Sequence, residues 1–76
     1  MSNQYFVNML IDDCRAHLNC KIEIGVQGSY IRGVVTNIQE GILTISDATI
    51  ITGEKISSDR IVTVNAFCVG WWCWNA

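Results

Sequence analysis

Proline is missing from this 76-residue chain, and charge is scarce, with only 16% of residues Asp, Glu, Lys or Arg. Without proline no element is interrupted by a fixed φ, and turns must come from Gly, Asn, Asp and Ser. There is a single histidine, His17, and no serine or cysteine stands at a recognisable nucleophile spacing from it. No glycine-rich loop of the phosphate-cradling kind follows a strand. The acidic pair Asp12-Asp13 sits side by side on a helix, where neighbours face different directions. These absences remove the common designs for nucleophilic, phosphoryl-transfer and acid–base catalysis. No enzyme is expected, and no cofactor.

Long apolar runs are also lacking. The stretch from Ile61 to Trp74 is broken by Thr63, Asn65 and Gly70 and has no Lys/Arg flank, whereas a spanning helix needs about 20 apolar residues. The opening "MSNQYFVNML" has no basic segment and no small-residue cleavage site. A cytoplasmic protein with no membrane partner is expected. The four cysteines, Cys14, Cys20, Cys68 and Cys73, then read as free thiols that act as small buried hydrophobes. Cys14, His17 and Cys20 have zinc-like ligand types, but a fourth ligand would have to come from the tail. The expectation is no metal. Net charge is −2, from five basic and seven acidic residues, which argues against a broad phosphate-binding face but leaves room for a small basic spot repeated around a ring.

What the chain does have is apolar surface. Half of its residues are hydrophobic, more than one small domain readily hides. The last ten residues, "FCVGWWCWNA", carry three tryptophans and no charge. Three exposed tryptophans would show about 450–750 Å², against about 300–600 Å² for the largest apolar patch of a typical monomer. The tail is therefore expected to be covered, by the barrel or by another copy of the chain.

The order of elements follows from the period of the apolar residues. Residues 2–19 read as a helix, capped by Ser2, with Phe6, Met9, Leu10, Cys14 and Leu18 on one face, Val7 and Ile11 widening it, and Asn19 closing it. The period then shortens to two. "CKIEIGVQ", "GSYIRGVVTNIQ", "GILTISD", "ATIITGEKIS" (interrupted near Gly53) and "IVTVNAFCV" read as five strands, with "SSDR" as a tight turn. Gly33 is the bendable point of the second strand. The whole chain, 1–76, reads as a single mostly β domain: a helix (2–19), a five-stranded, strongly bent barrel (20–69) and an apolar tail (70–76). An open barrel has two apolar edges. If each meets the opposite edge of a neighbour, a head-to-tail ring can close. Ile50, Ile51, Val62, Val64, Trp71, Trp72 and Trp74 are the expected interface residues of such a homo-oligomer.

This order resembles the Sm-like (LSm/Hfq) family, in which a helix caps an SH3-like small barrel that assembles into rings. The family's first segment has alternating apolar residues, a turn glycine, a second glycine five residues later and an apolar-x-Asp-Ala ending. Here Ile22, Ile24 and Val26 lead to Gly28, Gly33 follows, and Ile45-Ser46-Asp47-Ala48 closes. The family grips a base with an Asp, an aromatic or histidine and an Asn between its second and third strands. "NIQEGI" occupies that loop here, one residue shorter and with no aromatic, which leaves Asn37 and Gln39. The family's Arg-Gly turn before the last strand is matched to Ser58-Asp59-Arg60, so Arg60 is the candidate for stacking or phosphate pairing. Tyr30 is a further candidate for base stacking. What the resemblance implies is a ring that binds single-stranded nucleic acid, RNA ahead of DNA, with a role in nucleic-acid processing. The alternative is a structural oligomer or protein-docking scaffold with no nucleic acid.

Overall fold

The computed structural model describes residues 4–75: one α-helix, a five-stranded antiparallel sheet and a short 3-10 turn. The helix, α1, spans Gln4–Ala16 and buries Val7, Leu10 and Cys14, positions three and four apart that share one face. Phe6 and Ile11 flank them. Met9 and Leu18, expected on that face, are exposed: the buried stripe is centred on Val7, and Leu18 lies past the helix end. The expected start at residue 2, with its Ser2 cap, lies outside the described residues. The helix stops at Ala16 rather than at residue 19 because the chain tightens. The His17 N–H donates to the Cys14 carbonyl at 3.1 Å, the Cys20 N–H to the His17 carbonyl at 3.1 Å, and Asn19 takes a left-handed φ of 70°.

The strands are β1 (Lys21–Val26), β2 (Ser29–Gln39), β3 (Ile42–Thr52), β4 (Lys55–Asn65) and β5 (Val69–Trp74). They lie in the order β4-β3-β2-β1-β5, which leaves β4 and β5 as edges. Each of the three hairpin turns contains a glycine at positive φ, Gly28, Gly41 and Gly53. Three expectations about the second half of the sheet are corrected. "ATIITGEKIS" is not one interrupted strand; it contains the end of β3, the turn at Gly53 and the start of β4. "SSDR" is not a turn. Ser57–Arg60 continue β4, because an edge strand with both sides in water accepts Ser and Asp. "IVTVNAFCV" divides into the end of β4, a 3-10 turn at Ala66–Cys68 and the first residue of β5. The tail is the fifth strand itself.

The β2–β3 register shifts twice: between Arg32 and Val34, where β3 carries the extra residue on its way from Thr49 to Ser46, and between Val35 and Asn37, where β2 carries it. Gly33 is needed at the first. A Cβ there would run into the Ile45 Cγ2 methyl and lie 2.7 Å from the Ser46 carbonyl oxygen. The bent sheet and α1 enclose a core in which Leu10, Ile22, Ile24, Leu43 and Ile45 are the largest fully buried side chains. Of the cysteines only Cys14 joins it. Cys20, Cys68 and Cys73 are exposed, against expectation, because they sit at strand ends or on the outer side of the β5 edge. Burial, and secondarily the charge of Asp13, pushes the Cys14 thiol up to about 11.

The last strand is held by the first helix. Trp72 and Trp74 share one side of β5, and both indole N–H groups donate to Asp13 Oδ2, at 2.8 and 2.7 Å. Phe6 meets Trp72 edge-on with centroids 5.2 Å apart, and His17 stacks on Trp74 at 4.4 Å. The Trp72 bond first, then the Trp74 bond, holds the Asp13 carboxyl below the ordinary aspartate value, with the nearby His17 adding to the effect.

Asp13 titrates lower folded than unfolded, so its contribution is complete above the unfolded value and fades as pH falls below about 4. Asp13→Ala is expected to lower unfolding free energy at neutral pH by about 1–2 kcal/mol, a figure reduced for the half-exposed site. It should also flatten the acid limb of the stability curve. Asp13→Asn, which keeps an accepting oxygen, should recover part of the loss. Urea unfolding of the three proteins at neutral and acid pH checks both.

Candidate nucleic-acid interface

Asn37 and Gln39 are exposed alternate residues near the end of β2, opposite Thr44 and Ile42 of β3. The turn after them uses two residues at positive φ, Glu40 and Gly41. The connection between β4 and β5 docks on that turn, with the Ala66 N–H donating to the Gly41 carbonyl at 2.8 Å. Asn65 caps the 3-10 turn, its Oδ1 accepting from the Phe67 N–H at 2.9 Å. Phe67 is left 55% exposed beside a partly exposed Ile42. One end of the molecule thus gathers two amides and an open aromatic ring, the groups that hydrogen-bond and stack on an unpaired base.

Arg60 is not among them. It lies within β4, between Asp59 (opposite Ala48) and Ile61 (opposite Ser46), and its backbone N–H donates to Asp59 Oδ1 at 2.8 Å. Its side chain lines a shallow depression with Asp47, Thr49, Ser58 and Asp59. The connection before the last strand is formed by Asn65–Cys68, not by Ser58-Asp59-Arg60. Tyr30 is also remote, at the start of β2, seven residues and about 23 Å of extended chain from Asn37. Its hydroxyl donates to Glu23 Oε1 at 2.5 Å, and its ring lies 5.7 Å from that of Trp71. Sequence reasoning missed Phe67, buried as it was in an apolar run. The signal that would have found it is Asn65, a capping residue inside a β-branched stretch.

The expected interface residues also separate. β3 is paired on both sides, so Ile50 and Ile51 are not on an edge. Val62 is half-buried on β4 and Val64 is buried. Trp72 and Trp74 are engaged by α1, while Trp71 faces outward on β5, 46% exposed. The β4 edge exposes Ile56 and Ile61 instead. Among the described residues, no group of three or more His, Cys, Asp or Glu side chains is placed to hold a metal, and no helix is long and apolar enough to cross a membrane.

No family model and no curated protein matches the chain. Solved structures do. A Pyrococcus abyssii Sm protein in complex with a uridine heptamer superposes with a TM-score of 0.74 at 13% identity, over 86% of this chain and 96% of that one. A heptameric archaeal Sm protein gives 0.72 at 13% identity, over 86% and 98%. The SmAP (LSm) protein of Methanococcus vannielii gives 0.69 at 15% identity, over 95% and 97%. The chain has the Sm-like fold: an N-terminal helix and a bent, five-stranded antiparallel sheet.

Glu23 organises the opposite end of β2. Its carboxylate accepts from the Tyr30 hydroxyl, the Asn75 amide and, weakly, the Cys73 thiol. The Tyr30 bond first holds Glu23 below the usual carboxylate range, and the same bond raises Tyr30 above the usual phenol range. In Glu23→Gln, Tyr30 is therefore expected to ionise at lower pH than in the wild type. A phenolate absorbance titration, with Tyr5→Phe as background, measures that shift directly.

Proposed function

We propose that the chain assembles head to tail through its β4 and β5 edges into a ring, and that the ring binds single-stranded RNA. Each subunit would hold one nucleotide at the end carrying Asn37, Gln39 and Phe67. The observation that carries this reading is the junction of Ala66 with Gly41, which brings the segment of the exposed Phe67 to the hairpin turn that follows Asn37 and Gln39. The fold shared with an Sm protein that was solved with a uridine heptamer supports the choice of ligand. Repetition around a ring would convert weak single sites into useful affinity through effective concentration. The scaffold reading, an oligomer that docks proteins and takes no RNA, draws on the net charge of −2 and on the absence of any Lys or Arg at this end.

Anisotropy of labelled U-rich and A-rich single strands, at about 50 and about 200 mM salt, tests the reading. Saturable binding with a shallow salt slope is expected, because stacking and hydrogen bonds rather than phosphate pairing would hold the base. Phe67→Ala should weaken binding about ten- to hundredfold, and Asn37→Ala should weaken it less. An assembled mass with no binding at low salt would select the scaffold. A monomeric mass with no binding would end both readings.

A further inference from the structure

Gly25 interrupts β1, and a glycine inside a strand marks a place where another group comes close. Here that group is Trp71. It pairs with Gly25 across the β1–β5 ladder, and a Cβ on Gly25 would run into Nε1, Cε2 and Cδ1 of the indole. Tyr30 pairs with Gly25 from the other side, its ring 5.7 Å from that of Trp71 and tilted by 32°. Cross-strand partners share a face, so the two rings fill the space of the missing side chain and form one shallow aromatic shelf. The shelf faces away from α1, because Trp72, on the opposite side of β5, is bonded to that helix. Trp71 remains half-exposed there. Tyr30 is fixed at its far end by Glu23, whose carboxylate also accepts from the Asn75 side chain.

Beside the shelf the surface turns polar. Arg32 lies two residues along β2 from Tyr30, about 6.6 Å away on the same face. It opens a cleft of about 340 Å³ lined by Lys21, Arg32, Asp47, Thr49 and Asn75 over Gly33. The charges of this region balance. Lys21 and Arg32 have no ion-pair partner within 4.0 Å among the described residues, Asp47 stands in the same cleft, and Glu23 is the cross-strand partner of Arg32. An anion would meet two carboxylates as well as the cations, and a cation the reverse, so neither gains a net field. An uncharged ligand rich in hydroxyls suits the same set. Asp47 accepts, Lys21 and Arg32 donate, and Thr49 and Asn75 do either.

The occupant therefore needs a flat apolar face for the shelf and a hydroxylated rim for the cleft. A pyranose with equatorial hydroxyls has that form: its ring faces carry only C–H groups, and its rim carries the oxygens. Stacked on an indole, such a face is removed from water without leaving any hydroxyl unpaired.

We propose that the outer side of the sheet is a binding site for a neutral, glucose-type oligosaccharide. Trp71 and Tyr30 take a ring face of one unit, while Arg32, Asp47 and Thr49 take the hydroxyls of that unit and the next. The site shares no residue with the end at Asn37, Gln39 and Phe67, and it does not rest on the RNA reading.

The test uses the full chain labelled with ¹⁵N and titrated with cellotetraose, following the Trp71 indole N–H signal. The indoles of Trp72 and Trp74, bonded to Asp13, serve as internal controls. A saturable shift of Trp71 is expected, with the backbone amides of Arg32 and Thr49 moving in step and the two control indoles still. The affinity should be equal at about 50 and about 200 mM salt, because the ligand carries no charge to screen. Trp71→Ala should weaken the response of Arg32 and Thr49 about tenfold or more. Asp47→Gly, a change its left-handed backbone at φ 52° accepts, should weaken binding about three- to tenfold through one lost acceptor. The proposal is overturned if Trp71 stays still at millimolar cellotetraose, if Trp71→Ala binds as the wild type does, or if affinity falls with salt. It is also overturned if adenosine 5′-monophosphate moves the same signals at lower concentration than the sugar, which would assign the site to an anionic ligand.

Discussion

The carboxylate of Asp13 joins the two ends of this chain. Residues two apart on a strand point the same way and lie about 6.6 Å apart. One carboxylate oxygen can serve both Trp72 and Trp74 only where β5 passes directly beside the helix, as it does. The aromatic contacts of Phe6 and His17 brace the same crossing from either side. β5 is a six-residue strand paired on one side only, and a short edge strand has few backbone bonds of its own. Its placement therefore leans on a side-chain contact between residues 59 and 61 positions apart. With β5 placed, the sheet has its two free edges, and any assembly through them starts from that geometry.

The second constraint is the bend of β2. Gly33 lets the strand fold closely over Ile45 and Ser46, where no larger residue fits. In an unbulged strand Tyr30 and Arg32 would point to one face and Asn37 and Gln39, an odd number of residues further on, to the other. The register with β3 shifts twice, and the start of β2 at Tyr30 lies about 23 Å of extended chain from Asn37 near its other end. The four nominated residues do not meet, because Tyr30 lies at one end of β2, Asn37 and Gln39 at the other, and Arg60 on β4.

Much of the fold was legible, and its failures have physical causes. The helix showed through Val7, Leu10 and Cys14, and the turns through Gly28 and Gly41, because these signals are local. The number of strands survived an error in their limits. β4 was cut at Ser57–Arg60 because Ser and Asp look like turn chemistry, and only the edge position, which a sequence does not display, makes them ordinary strand residues there. The misplaced turn carried Arg60 with it into the wrong neighbourhood. The tryptophans read as an interface because their partner, Asp13, lies at the other end of the chain. Phe67 was hidden by its apolar neighbours, and its exposure depends on the Asn65 cap and the docking of Ala66 on Gly41.

The distribution of charge bears on the kind of nucleic acid that would suit this surface. The chain has five basic residues, Arg15, Lys21, Arg32, Lys55 and Arg60. None lies in the β2–β3 turn or in the connection that docks on it, and Glu40 is in that turn. Duplex binding draws on many phosphate contacts, and a surface this poor in cations supplies few. Stacking on Phe67 needs a base whose face is open, which a paired base does not offer. An acidic balance therefore weighs against duplexes and against loose electrostatic binding more than against an unpaired strand held base by base. On this reading the scarcity of positive charge acts as a filter for single strands, and repetition around a ring supplies the affinity that each site lacks.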